Sequence, residues 1–158
     1  MAAGNTIPTA GNIFVSVRDA DKAECIPLAS RLAELGFTIY ATLGTSTALR
    51  REGIPSQAVF RISDGRPNVL DMMEEKSIGW IVNTPSSTTN ARLDEVKMRA
   101  RAVIRGVPIT TTLDGLRAAI NGLEALLENE KISVCSLQEY HRGAPRLDFS
   151  KVSGGDRR

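Results

Sequence analysis

The feature that most constrains this chain is a repeated alternation. Short runs rich in β-branched and apolar residues are each followed by polar residues and then by a segment with helical spacing. The strand-like runs are residues 12–17, 37–42, 57–62, 78–82 and 107–110. Cys25, Leu28, Ala29, Leu32 and Leu35 share one helical face, and Gly36 stops that helix. Asp19 or Asp21 can cap it; Pro27 fits a first turn or otherwise implies a kink. Further helices are expected over 45–51, 68–76, 93–105 and 113–128. Residues 132–137 read as a sixth strand or an extended edge. Strands alternating with helices over short loops call for a parallel sheet covered on both faces. The expected fold is α/β: a three-layer sandwich, with a mainly parallel five-stranded sheet and helices on both faces.

The ends read differently. Residues 1–11 are small, polar and broken by Gly and Pro, as in an arm or linker; residues 12–141 form the domain, and 142–158 a flexible tail. The start lacks a positive segment and an apolar stretch, so no signal peptide is expected.

Composition removes several functions. Twenty Lys and Arg against eighteen Asp and Glu leave a net charge of only +2, and aromatics are 4%, so neither a nucleic-acid footprint nor a base-stacking platform is expected. His141 is the single histidine, which argues against His-based zinc sites. Cys25 and Cys135 lie far apart and read as reduced, buried small hydrophobes, in keeping with a cytoplasmic protein. Trp80 reads as core, and the basic 93–105 helix as a solvated or interdomain face.

Ligands of open parallel sheets bind beyond the carboxyl ends of the strands. The residues there are Ser16, Arg18, Asp19 and Lys22, then 42–46, then Arg61 to Arg66, then the hydroxyl and amide run 83–90. They are rich in donors and basic groups with few carboxylates, suiting a small phosphorylated or carboxylated ligand. Thr42-x-Gly44-Thr45 opening a helix offers close backbone approach, free N–H groups and the positive end of a dipole. Lys22 can add a point charge. The alternative is that Thr45 or Ser46 only caps the helix while Gly44 serves a turn. Asp19, Asp21 and Asp64 are available as bases, but no Ser-His-Asp or Cys-His pairing is suggested. The residues favour holding an anion over transforming it.

An ordered set of short motifs then carries a resemblance: 16–22 (SVRDADK), 36–37 (GF), 41–45 (ATLGT), 65–68 (GRPN), 81–86 (IVNTPS) and 111–113 (TTL). Together these resemble the methylglyoxal-synthase-like domain family, most closely the C-terminal allosteric domain of the carbamoyl phosphate synthetase large subunit. The resemblance covers about residues 11–127, and 136–141 resemble the end of that subunit.

It implies a non-catalytic regulatory domain of a cytoplasmic ligase that makes carbamoyl phosphate for pyrimidine and arginine synthesis, Met1 then being an introduced start. The effector would be a nucleotide monophosphate, uridine monophosphate inhibiting and inosine monophosphate activating. The partners would be the remaining large-subunit domains and, through them, the small glutaminase subunit. ATP and a divalent metal would belong only to the absent parts. The implied effector-binding residues are Lys22, Thr42, Gly44 and Thr45 at the phosphate, with Asn83, Thr84 and Ser16 nearby. Arg61 and Ile62 would lie at the base and sugar, and Asp94 close to the nucleotide.

Departures are also visible. Arg61 replaces the usual lysine, Ile109 stands where the enteric pattern has tyrosine at the ornithine contact, and 85–87 (PSS) lack a glycine. An N-acetylglutamate-binding form would carry a tryptophan near Arg61, and none is there. Methylglyoxal synthase itself is the other alternative. Its catalytic Gly-Gly-Asp segment is replaced by 65–67 (GRP), and no histidine is near.

Overall fold

The computed structural model describes the backbone of residues 6–143 and the side chains of residues 6–132. Its contacts divide the chain into residues 1–120 and 121–158. The first unit contains the whole sheet. Its elements are β1 (Gly11–Ser16), α1 (Lys22–Glu34), β2 (Phe37–Thr42), α2 (Leu43–Arg51), β3 (Gln57–Val59), α3 (Val69–Glu74), β4 (Trp80–Asn83), α4 (Thr89–Arg105), β5 (Ile109–Thr110) and the start of α5 (Leu113–Gly143). Short 3-10 turns occupy Asp19–Asp21 and Ile62–Asp64.

The five strands run in the order β3-β2-β1-β4-β5, and every neighbouring pair is parallel. The expected five-stranded parallel sheet is therefore what forms. Ile13, Phe14 and Val15 of β1 and Trp80, Ile81 and Val82 of β4 are all buried, because central parallel strands are covered on both faces. Right-handed crossovers send α1 and α2 to one face and α3 and α4 to the other. On the second face Phe14 and Ile81 pack against Met72 and Met73 of α3 and Met98 and Ala102 of α4. Trp80 is core, as expected. Its indole N–H donates to Thr110 Oγ1 at 2.9 Å, and its ring meets Phe37 edge-on at 5.6 Å. Truncating such a side chain costs about 3–5 kcal/mol.

Local chemistry sets the boundaries. Asn68 caps α3, accepting from the Leu70 N–H, while the Asp71 carboxylate accepts from the Asn68 N–H, a reciprocal box. Thr88 caps α4 through the Ala91 N–H, and Gly106 ends it in the left-handed region at φ 72°. Neither Asp19 nor Asp21 caps α1 with its side chain: Asp21 is held by Arg18 at 2.9 Å and Asp19 by Lys22. Pro27 lies in the second turn of α1, because the helix starts at Lys22, earlier than the apolar spacing indicates. Cys25 is buried, and burial pushes its thiol up to about 11, so it is a packing residue.

The expected sixth strand is not one. Residues 132–137 continue α5, which runs to Gly143. The intervening 128–131 (ENEK) holds no Gly or Pro, so nothing stops the helix, and the alternation of Ile132 and Val134 is overridden. In the second unit the described backbone is this continuing helix. The side chains of Cys135 and His141, and most of the expected tail, lie outside the described residues. Among the described residues no helix is long and apolar enough to cross a membrane.

Candidate functional site: a cleft at the switch point of the sheet

Strand order reverses at β1. From it the chain builds outward to β2 and β3, then returns to place β4 and β5 on the other side. Loops leaving β1 and β4 therefore diverge to opposite faces and leave a crevice at their carboxyl ends. The final registered pair is Ser16 with Asn83. A cleft of about 1000 Å³ opens there, at the large end of small-molecule sites.

All ten sequence-derived candidates line this one cleft: Ser16, Lys22, Thr42, Gly44, Thr45, Arg61, Ile62, Asn83, Thr84 and Asp94. They come from β1, β2, β4, α1, α2, α4 and the loops after β3 and β4. Only the fold brings them together.

One wall is the start of α2. Thr42 has extended backbone (φ −64°, ψ 158°) and makes no side-chain cap bond, so its hydroxyl does not consume the first-turn N–H groups. Gly44 lies in this first helical turn rather than in a loop. A Cβ built on it would meet the Lys22 Nζ at 3.0 Å, so the ammonium sits directly over the glycine. Thr45 and Ser46 are buried within α2 and do not cap it. The Thr45 hydroxyl accepts from the Val17 N–H at 3.3 Å, and the Thr42 hydroxyl lies 3.3 Å from Ser16 Oγ and 3.4 Å from Thr45 Oγ1. These contacts are long, and each hydroxyl retains capacity for a further bond.

The opposite wall is the end of β4. Asn83 is 4% exposed, and its side-chain Nδ2 has no hydrogen-bond partner. Buried donors are almost always paired, so this unpaired amide sets the β4 end of the cleft apart. Thr84 is also buried, but its hydroxyl accepts from the Arg18 N–H at 2.9 Å and ties the two loops together.

The outer rim differs from the expectation of few carboxylates. Asp19, Asp64, Asp94 and Glu95 line the cleft beside the cations Arg18, Lys22 and Arg61. Each cation is paired: Arg18 with Asp21, Lys22 with Asp19, and Arg61 with Asp64 at 2.8 Å. The hydrogen bond and charge of Lys22 hold the exposed Asp19 carboxyl below its ordinary range. Asp94 receives the Ser63 N–H at 3.2 Å and the Ser63 hydroxyl at 3.0 Å, and Glu95 accepts from the Ser86 N–H at 2.8 Å. Neighbouring carboxylates on α4 thus each fasten one rim loop.

Glu95, Leu43 and the half-exposed Phe60 also line the cleft and were not among the candidates. Reading 57–62 as a continuous strand hid Phe60; β3 ends at Val59. Among the described residues no group of three or more His, Cys, Asp or Glu side chains converges on a metal position.

Residues 24–111 match the family described as "MGS-like domain". This chain belongs to the MGS-like domain family. As an MGS-like domain it is 41% identical over 140 residues to the carbamoyl phosphate synthase large chain of Methanoculleus marisnigri, covering 89% of this chain and 13% of that one. It is 43% identical over 140 residues to the carbamoyl phosphate synthase large chain, C-terminal section, of Methanocaldococcus jannaschii, covering 88% of this chain and 22% of that one. The domain therefore spans well under a third of the length of these relatives. Its fold is similar to methylglyoxal synthase from Elizabethkingia anophelis, with a TM-score of 0.59 over 72% of this chain and 79% of that one, at 13% identity. The methylglyoxal-synthase-like architecture is thus shared with proteins of very different sequence.

Proposed function

We propose that this MGS-like domain is the effector-binding regulatory domain of a carbamoyl phosphate synthase large chain. The parent would be a glutamine-hydrolysing ligase, drawing on ATP, metal and a glutaminase partner in other domains. The ligand is a nucleotide monophosphate of the uridine or inosine kind, held by its phosphate. The supporting observation is the convergence of the uncapped α2 N-terminus, the Lys22 ammonium above Gly44 and the unpaired Asn83 amide on one cleft. A phosphate receives the first-turn N–H groups and the positive end of the helix dipole, together with the ammonium. It displaces the exposed Asp19 carboxylate from Lys22 in doing so. Regulation follows if the ligand favours one conformation of the parent over another.

Calorimetric titration of uridine and inosine monophosphates and of N-acetylglutamate into the protein tests this. Saturable nucleotide heat that falls at least tenfold in affinity in Lys22→Ala and Thr45→Ala supports the reading; no nucleotide heat with the wild-type protein overturns it. Asp19 and Asp64 in the cleft wall make phosphate elimination the reading to control for. Incubation with dihydroxyacetone phosphate should leave it unconsumed.

A further inference from the structure

The floor of the cleft accounts for an anion, but its mouth carries apolar groups that no anion uses. Phe60 is 52% exposed and Leu43 is 69% exposed, and both line the cleft. Large apolar side chains left in water forgo burial that a ligand's apolar surface would supply. The register pairs Thr42 with Val59, the last residues of β2 and β3, and Leu43 and Phe60 are the residues that follow them in the cleft lining. Phe60 is not on a loose loop. Its N–H donates to the Pro67 carbonyl at 3.1 Å, and it bridges Asn68, the buried cap of α3. Asn68 in turn donates through Nδ2 to the Gly65 carbonyl at 2.7 Å. The ring is therefore presented from a fixed backbone, next to Arg61.

We propose that Phe60 is the specificity-determining contact for a flat heteroaromatic group at the far end of a phosphorylated ligand. This rests on the nucleotide reading above and names the residue that would recognise the base. A triose phosphate or an acylated amino acid has no planar face for the ring. A nucleobase has one, and base–aromatic stacking is worth about 1–3 kcal/mol, which is a factor of about 5–150 in affinity. Phe60 acts on the base alone, so removing it separates nucleotides from phosphates that lack a base.

The experiment compares inosine monophosphate with ribose 5-phosphate by calorimetry, using the wild-type protein, Phe60→Ala and Phe60→Trp. Wild type should bind the nucleotide at least tenfold more tightly than ribose 5-phosphate. Phe60→Ala should lose most of that difference while binding ribose 5-phosphate as before, and Phe60→Trp should keep it. The proposal is overturned if Phe60→Ala binds inosine monophosphate like wild type, or weakens both ligands equally. Wild-type protein that binds ribose 5-phosphate as well as the nucleotide also overturns it, with the phosphate cradle left standing. Wild-type protein that binds neither overturns the cradle itself and this proposal with it. Unchanged melting temperatures are expected, because both variants alter an exposed ring.

Discussion

The Lys22 ammonium occupies the space that a side chain at residue 44 would need: a Cβ on Gly44 would lie 3.0 Å from Lys22 Nζ. The glycine is in ordinary helical backbone, so its value lies in this close approach and not in unusual dihedrals. Binding and stability consequently separate at this position. Gly44→Ala should raise helix stability by about 0.5–1 kcal/mol, since the lysine tip can swing aside. The same methyl should shield the first-turn N–H groups and displace the ammonium. A thermal melt at or above the wild-type value, with phosphate-ester affinity reduced at least tenfold, is the expected pair of results.

On the proposed phosphate reading, Asp19 is the internal rival of the ligand. Its carboxylate is exposed and bound to Lys22, which lowers its pKa through the hydrogen bond and then through charge. An incoming phosphate must take the ammonium from it. Asp19→Asn should therefore bind phosphate esters several-fold more tightly than wild type by calorimetry, with the gain shrinking as salt rises. Weaker binding in this variant would instead mean that Asp19 orients Lys22.

How much of this was legible in the sequence depends on which forces decide each element. The strands were visible because central parallel strands need unbroken apolar runs, as in 13–15 and 80–82. The Gly-Thr step was legible as a candidate anion cradle because a glycine opening a helix is local chemistry. What was hidden depends on tertiary placement. Phe60 lies in an apolar run whose ladder stops at Val59 because the next partner is Asn68 of another segment. Glu95 reads as any surface glutamate until α4 is laid beside the Ser86 loop. The length of α5 was missed because two β-branched residues mimic a strand where no breaker ends the helix. Pairing is also a tertiary fact: the rim cations lie in the expected loops, but their carboxylate partners reduce the free positive charge.

The capping box of α3 gives a pH signature. Asp71 is held below the ordinary carboxylate range, first by Arg66 and then by the Asn68 N–H. A lowered folded-state pKa means that the folded state binds this proton less readily than the unfolded state. Its contribution is therefore complete above the unfolded carboxylate pKa, about 3.9, and is lost as pH falls through the lower folded value. Asp71→Asn should melt below wild type at pH 7, and the two curves should converge as pH falls through the lowered folded-state pKa of Asp71. Asn68→Ala, which removes the cap itself, should cost about 1–2 kcal/mol without that pH dependence.

Asn83 tests whether the unpaired amide is a cost accepted for binding. Its Nδ2 is buried without an acceptor, a state that costs about 1–3 kcal/mol when nothing fills the cleft. Asn83→Ala deletes both that penalty and some packing, two effects of similar size and opposite sign. Chemical denaturation should show a change within about 1 kcal/mol, whereas an ordinary paired asparagine in a buried strand would lose more. Nucleotide affinity should fall at least tenfold, because the ligand loses the donor that was left waiting for it. A large loss of stability with unchanged affinity would show that Asn83 serves the sheet and not the cleft, and would shift the ligand toward the α2 wall.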